Sequence, residues 1–309
     1  MKALSLYLTG TRALEFIEKS LLPPDSDEVL VKTLYGAVSI GTELPLYTGT
    51  SRSSGPVRYP KMTGYESYGV VEAVGSNIQD FQIGDKVVSF YGHRTHALVK
   101  ASKLIRVPTN LSPQLALLAI LSCDVKKGIS KLTLHPNESI LITGAGAIGL
   151  LTLFTLKALG IQNIDVIEPQ KHRRELALML GARSVFDADT LPLQSYDAGV
   201  ECSSRNTAFA TLQTCLKQSG QICILADGNL EPLVLTPDFH EKELSVVGSS
   251  DGADYQNHAA WFYMLQTLEK LERLFDLETT FADLPKTFDA LATKEVSALK
   301  ILVDYKQMN

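Results

Sequence analysis

From Ser139 to Gly160 the chain reads SILITGAGAIGLLTLFTLKALG. A short apolar run with β-branched residues has the length and composition of a buried strand, and Gly144-Ala-Gly146-Ala-Ile-Gly149 follows it directly. The apolar residues then resume at helical spacing, so the glycines fall between a strand and a helix. In that setting the first glycine permits a tight turn, the second lets a pyrophosphate approach the backbone, and the third lets helix and strand pack closely. The free N–H groups at the helix start favour an anion. The glycines and Lys157 interrupt the stretch, which argues for a buried strand and helix rather than a membrane span.

The next predicted strand, IDVIE, ends at Glu168, about 20 residues past the glycines, where a carboxylate accepts hydrogen bonds from ribose hydroxyls. Ala147 and Ile148 complete the expected phosphate loop. A carboxylate at position 168 repels a 2′-phosphate and favours NAD. Lys171, Arg173 and Arg174 could instead welcome NADP, although they also suit the solvated first turn of a helix; the expectation is NAD over NADP.

Strand and helix patterns alternate onward through NIDVIEPQKHRRELALMLGA, SYDAGVECS, RNTAFATLQTCLKQSG, QICILADG and LSVVGSS, the signature of a doubly wound parallel sheet. Ligands bind beyond the carboxyl ends of such strands, so Cys202, Ser203, Leu225, Ala226 and Ser249, with Asp227, Gly228 and Ser250 beside them, should border the cofactor. The first 90 or so residues instead read as short strands broken by turns, a β-rich, barrel-like pattern. LSPQLALLAILSCDVKKGISKLTL predicts a helix capped at Ser112, with Pro113 in its first turn. HAAWFYMLQTLEKLERLF predicts one further helix, and ALKILVDY a closing strand. The expected layout is residues 1–122 as a β-rich domain, 123–252 as an inserted α/β domain, and 253–309 as a return to the first.

With 309 residues, 20% of them charged and a net charge of −5, the chain suggests no basic face, which argues against nucleic acid and for a small-molecule substrate. The start, MKALSLYLTGTRALEF, fits neither a secretory nor a transit segment. Cys123, Cys202, Cys215 and Cys223 lack Cys-x-x-Cys spacing, so reduced thiols and a cytoplasmic location are expected, with no membrane partner.

The turn Gly41-Thr42-Glu43, the segment Gly64-x-Glu66 before YGVVEAVG, the turn Gly84-Asp85-Lys86-Val87 and the loop G-A-G-A-I-G occur in an order and spacing that resemble the medium-chain dehydrogenase/reductase superfamily. The runs SIGTELPLYTG and YPKMTGYESYGVV, with the ending LKILVDY, are most similar to bacteriochlorophyllide a dehydrogenase-like members. The resemblance implies an α/β protein with a GroES-like β-barrel-type catalytic domain built from both chain ends and a Rossmann domain between. It also implies an NAD(P)-dependent oxidoreductase acting on an alcohol or carbonyl, and a homodimer as the usual assembly.

Zinc-dependent members carry metal ligands where this chain has Ile40, Tyr65 and Cys123, and the resemblance therefore breaks at the metal. One thiol beside Glu66 cannot hold Zn²⁺ with tetrahedral N/S ligands, so no metal is expected, short of a rearranged site using Glu43, Glu66 or His93. Tyr65 could supply the missing electrophile, since a phenol with an ordinary pKa of roughly 10 stays protonated at neutral pH. Thr42 matches the family's proton-relay hydroxyl, and Thr42, Tyr65 and Glu66 form the expected catalytic set. Tyr65 could equally fill the space of the lost metal and bond to Glu43, leaving cofactor position to carry the chemistry, as in enone or quinone reductases. Loss of the zinc ligands also leaves open a cofactor-binding protein without catalysis.

Glu43, Tyr91, His93 and Arg94 are the expected substrate-pocket residues, although His93, Arg94 and His96 read more readily as a solvated loop after a strand. Arg52, Arg58 and Lys61 lie in a segment without acids that could steer an anion. Trp261, Phe262 and Tyr263 fit a helix pattern better suited to core or interface than to a ligand.

Overall fold

The computed structural model describes residues 1–52, 57–187, 195–226 and 231–306; Asp227, Gly228 and the middle of the Arg52–Lys61 segment lie outside the described residues. Two compact units emerge. One comprises Met1–Ala119, Ala259–Met264 and Glu272–Asn309, the other Ile120–His258 and Leu265–Leu271.

The first unit is mostly sheet. Its larger sheet runs Phe275–Thr280, Lys300–Asp304, Glu28–Val38, Glu66–Val74, Lys86–Ser89, Ile105–Arg106, and His96–Lys100 also pairs with Glu28–Val38. A smaller sheet joins Ala13–Ser20, Lys2–Gly10 and the short strand Lys61–Met62. The carboxyl-terminal strand is stitched in by antiparallel pairing, Ile301 opposite Val38 and Asp304 opposite Tyr35. Strand alternation puts Val29, Val31, Val71, Val87, Ala97 and Val99 into one apolar cluster. A second cluster gathers Leu6, Leu8, Tyr47, Phe281, Phe288 and Ile301 from both ends of the chain.

The second unit is a six-stranded, wholly parallel sheet in the order Ser184–Phe186, Asn163–Ile167, Ser139–Thr143, Tyr196–Glu201, Leu216–Ile224, Ser245–Gly248. In chain order that is 3-2-1-4-5-6, the doubly wound arrangement whose strand order reverses beside the first strand. Continuous apolar strands such as SILIT, with Ile140, Leu141 and Ile142 fully buried, reflect helices covering both faces.

Two expectations need correction. The single helix read from His258 to Phe275 is instead a helix over Tyr255–Phe262, a break with Thr267 at φ +60°, and a 3-10 helix over Leu268–Leu274. Leu268, Leu271 and Leu274 recur every third residue and are all buried, which matches three residues per turn rather than 3.6. The Gly41-Thr42-Glu43 turn is the opening of a helix, Ile40–Thr48, closed by Gly49 in the left-handed conformation. The helix Leu284–Ala292 buries Leu284, Phe288 and Leu291 on one stripe. Among the described residues no helix is long and apolar enough to cross a membrane.

Candidate active site

In the parallel-sheet unit, Gly144 takes φ +89°, which turns the chain sharply off strand Ser139–Thr143, and the helix Ala147–Ala158 begins at once. A Cβ on Gly149 would stand 1.9 Å from the Gly144 carbonyl oxygen, so helix and turn close-pack only with glycine there. Gly146 is the opposite case: a Cβ there would meet nothing within 4 Å. The open space beside it has room for a pyrophosphate, and the N–H groups of Ala147 and Ile148 stand uncapped at the helix start. Replacing Gly146 with alanine is expected to leave the melting temperature within a few degrees and to weaken nicotinamide-dinucleotide binding at least tenfold. Fluorescence titration with NADH checks this.

Glu168 leaves strand Asn163–Ile167 and is only 4% exposed. One carboxylate oxygen accepts the Ala145 N–H at 2.8 Å and the other the Gln170 N–H at 2.9 Å. The carboxylate thus braces the glycine loop, and each oxygen keeps a lone pair for a ribose hydroxyl. Arg174 donates to the carbonyls of Glu168 and Pro169, both at 2.7 Å, which pins its guanidinium to the backbone.

The sheet brings the other expected cofactor-side residues to the same edge. Cys202 and Ser203 follow strand Tyr196–Glu201 and lie against the glycine loop, since a Cβ on Gly144 would meet Ser203 at 3.2 Å. Leu225 and Ala226 both donate their N–H groups to the Glu201 carbonyl, and Ser249 donates its N–H to Ile224. The buried Glu201 carboxylate shapes that edge by accepting the N–H groups of Ser203 and Ser204. These residues fit a dinucleotide at the point where strand order reverses.

The chemistry of the first unit centres on the amino end of helix Ile40–Thr48. Glu43 folds back so that Oε1 accepts the Ser39 N–H at 2.9 Å, occupying an otherwise orphaned donor. Its Oε2 lies 3.1 Å from Nε2 of His93, and His93 Nδ1 lies 3.1 Å from the Tyr305 hydroxyl. His93 is 1% exposed, so the solvated-loop reading of it is corrected. Gly64 explains how it fits: at φ +74°, a Cβ there would stand 2.7 Å from the imidazole ring.

Glu66 begins strand Glu66–Val74 and is 1% exposed; its Oε1 accepts a 2.6 Å hydrogen bond from Lys300, itself 1% exposed. Burial holds the Glu66 carboxyl above its ordinary pKa, with Lys300 pulling back. Its Oε2 has no hydrogen-bond partner among the described residues. Lys300 was not singled out in the sequence; an interior lysine in the apolar run ALKILVDY was the signal.

Tyr65, Thr42 and Glu43 line one cavity of about 210 Å³; Glu66, Tyr91, His93 and Arg94 do not. Burial, and then the Glu66 charge, push the Tyr65 hydroxyl well above its ordinary pKa, while hydrogen bonding with Ser39 and Thr42 pulls the other way. The expected Tyr65 to Glu43 bond is replaced: Glu43 is engaged by Ser39 and His93 and reaches Tyr65 through its charge. Tyr91 sits in the barrel core, its hydroxyl 3.2 Å from Thr33. Arg94 is half-buried beside it, with no hydrogen-bond partner for its Nε among the described residues.

The residues present do not fit a catalytic zinc. Among the described residues no group of three or more His, Cys, Asp or Glu side chains could hold a metal ion. Cys123 donates its thiol to the Ala253 carbonyl at 3.2 Å, and burial pushes that thiol up to about 11. Ile40 and Tyr65 offer no imidazole or thiolate.

Residues 25–108 match the family model for the alcohol dehydrogenase GroES-like domain, and residues 147–270 that for zinc-binding dehydrogenase. The chain belongs to the medium-chain dehydrogenase/reductase superfamily and is an NAD(P)-dependent oxidoreductase. L-threonine 3-dehydrogenase of Deinococcus radiodurans is 22% identical, covering 99% of this chain and 98% of its own. A putative zinc-binding dehydrogenase of Sinorhizobium meliloti bound to NADP superposes with a TM-score of 0.83 at 19% identity, covering 99% of this chain and 100% of that one. An alcohol dehydrogenase of Escherichia coli CFT073 complexed with NADH gives 0.83 at 20% identity, over 98% and 99% of the two chains.

Proposed function

We propose that this oxidoreductase interconverts a secondary alcohol and a ketone without zinc, with Tyr65 as the electrophilic hydroxyl. The observation that carries the reading is the Tyr65–Thr42 pair: two hydroxyls line one cavity, and the phenol is held protonated there. Bound nicotinamide supplies or accepts the hydride. As charge develops on the substrate oxygen, the Tyr65 O–H donates to it, a preorganised dipole in a water-poor site. Thr42, on the first turn of its helix, passes a proton to or from that oxygen in this reading, and Glu43 fixes the turn by accepting the Ser39 N–H.

NAD is the proposed cofactor. The Glu168 carboxylate braced beneath the glycine loop opposes a 2′-phosphate, and Arg174 is occupied with backbone carbonyls. The test combines metal analysis of the purified protein with NADH and NADPH fluorescence titrations and assay against a ketone panel. Expected are substoichiometric zinc, tighter NADH binding and ketone reduction. Stoichiometric zinc whose removal abolishes turnover would sink the metal-free mechanism, and reduction of enones alone would move the reaction to a C=C bond.

A further inference from the structure

The cavity lined by Tyr65 and Thr42 is otherwise mostly apolar. Beside Tyr65, Thr42 and Glu43 its wall is formed by Leu8, Leu14, Leu46, Tyr47, Met62 and Phe288, and Lys61, Thr63 and Gly64 complete the lining. Leu8, Tyr47 and Phe288 belong to the apolar core of this unit, with Leu14 and Leu46 packed against them, and the Tyr47 and Phe288 rings stand 5.4 Å apart. The cavity is therefore cut into the flank of a hydrophobic core. Its carboxylate, Glu43, has both oxygens engaged, by the Ser39 N–H and by His93, and its lysine, Lys61, is exposed, so the buried wall presents mainly hydrocarbon to a ligand.

We infer that this cavity is a specificity site for the apolar tail of the substrate, selecting compact hydrocarbon-bearing ketones and secondary alcohols over polyols; the inference rests on the carbonyl/alcohol reading proposed above. Size follows from volume. A 150 Å³ apolar cavity takes benzene, so about 210 Å³ takes roughly eight non-hydrogen atoms. A polyol carries a hydroxyl on nearly every carbon, and the leucine, methionine and phenylalanine walls would leave those hydroxyls unpaired. Met62, 37% exposed and flexible, lets the rim adjust to branched or ring-shaped tails.

Two measurements on the full-length protein carry the test. Steady-state kinetics with methyl ketones from acetone to 2-decanone should show kcat/KM rising about threefold to fourfold per added methylene, the increment expected for burying a CH₂. The rise should level off once the ketone reaches roughly eight carbons. With Leu14→Trp, and independently with Leu46→Trp from a different element, the ratio of kcat/KM for 2-octanone over acetone should fall at least tenfold. Calorimetric binding of N-alkylformamides, whose carbonyl resists hydride transfer, to protein loaded with NADH reads the same tail site without turnover. If formamide affinity rises with chain length while no ketone is reduced, the tail site stands and the carbonyl/alcohol reading falls. If ketones are reduced with kcat/KM independent of tail length, or sorbitol is oxidised in preference to 2-octanol, the tail site is overturned and the hydride reading stands.

Discussion

Replacing Tyr65 with phenylalanine is expected to lower kcat for ketone reduction by about a hundredfold to a thousandfold, the range seen when one oxyanion donor is removed. NADH affinity and melting temperature should stay close to wild type. The ring that lines the cavity is kept and only the O–H is lost, so the volume of the site does not change. A companion signature lies in pH. Burial and the neighbouring Glu66 charge keep the phenol protonated beyond its ordinary range, so the donor form persists and kcat should hold its plateau through about pH 10, the unperturbed tyrosine value. A Tyr65→Phe enzyme within a few-fold of wild type would reduce Tyr65 to a filler of the space a metal occupies elsewhere.

Lys300→Met should cost about 3–5 kcal/mol of stability, because it strands the Glu66 carboxylate without its cation in a dry interior. At about 2–4 °C per kcal/mol for a domain of this size, calorimetry should register a drop of roughly 6–20 °C. The double variant Glu66→Leu/Lys300→Met should recover most of the loss, since a well-packed apolar pair carries no desolvation cost. The pH dependence has a definite sign. Glu66 titrates higher in the folded protein than in the unfolded chain, so the native state binds the extra proton. Its contribution is fully present below the unfolded carboxylate range, about pH 4.3, and is lost as pH rises through the folded value. Without Lys300, which pulls that value down, the loss should extend to higher pH. Equal melting temperatures for Lys300→Met and wild type at neutral pH would mean that the pair is solvated in solution.

Both predictions turn on contacts of different legibility. The position of Tyr65 was visible in the sequence because Gly64 and Glu66 flank it in a recognisable segment before a strand. Its environment was not visible. A hydrogen bond with Glu43 was one of two readings of the segment, yet Glu43 caps Ser39 and turns its other oxygen to His93. His93 looked like a loop residue after a strand, since nothing near it in sequence announces that Gly64 will close over its ring. Glu66 was read as part of a reaction centre because it follows Tyr65; alternation along the chain sends it instead to the buried Lys300.

The glycine loop, the acidic residue at the end of the following strand and the strand-helix alternation of the α/β unit were determined by the sequence alone. Each is local or periodic: a positive φ, a forbidden Cβ or an apolar repeat acts within a few residues. The long segment after His258 failed that test because its apolar residues suited two helical periods, and packing chose between them. Only the tertiary structure decided the ion pair of Glu66 with Lys300, 234 residues apart, and the contact of His93 with Tyr305, 212 apart. It alone assembled the cavity, whose walls come from the amino-terminal hairpin, the helix Ile40–Thr48, the Lys61–Tyr65 segment and the late helix Leu284–Ala292. Register between distant strands and the desolvation of buried charge set those contacts, and neither quantity is written in the spacing of neighbouring residues.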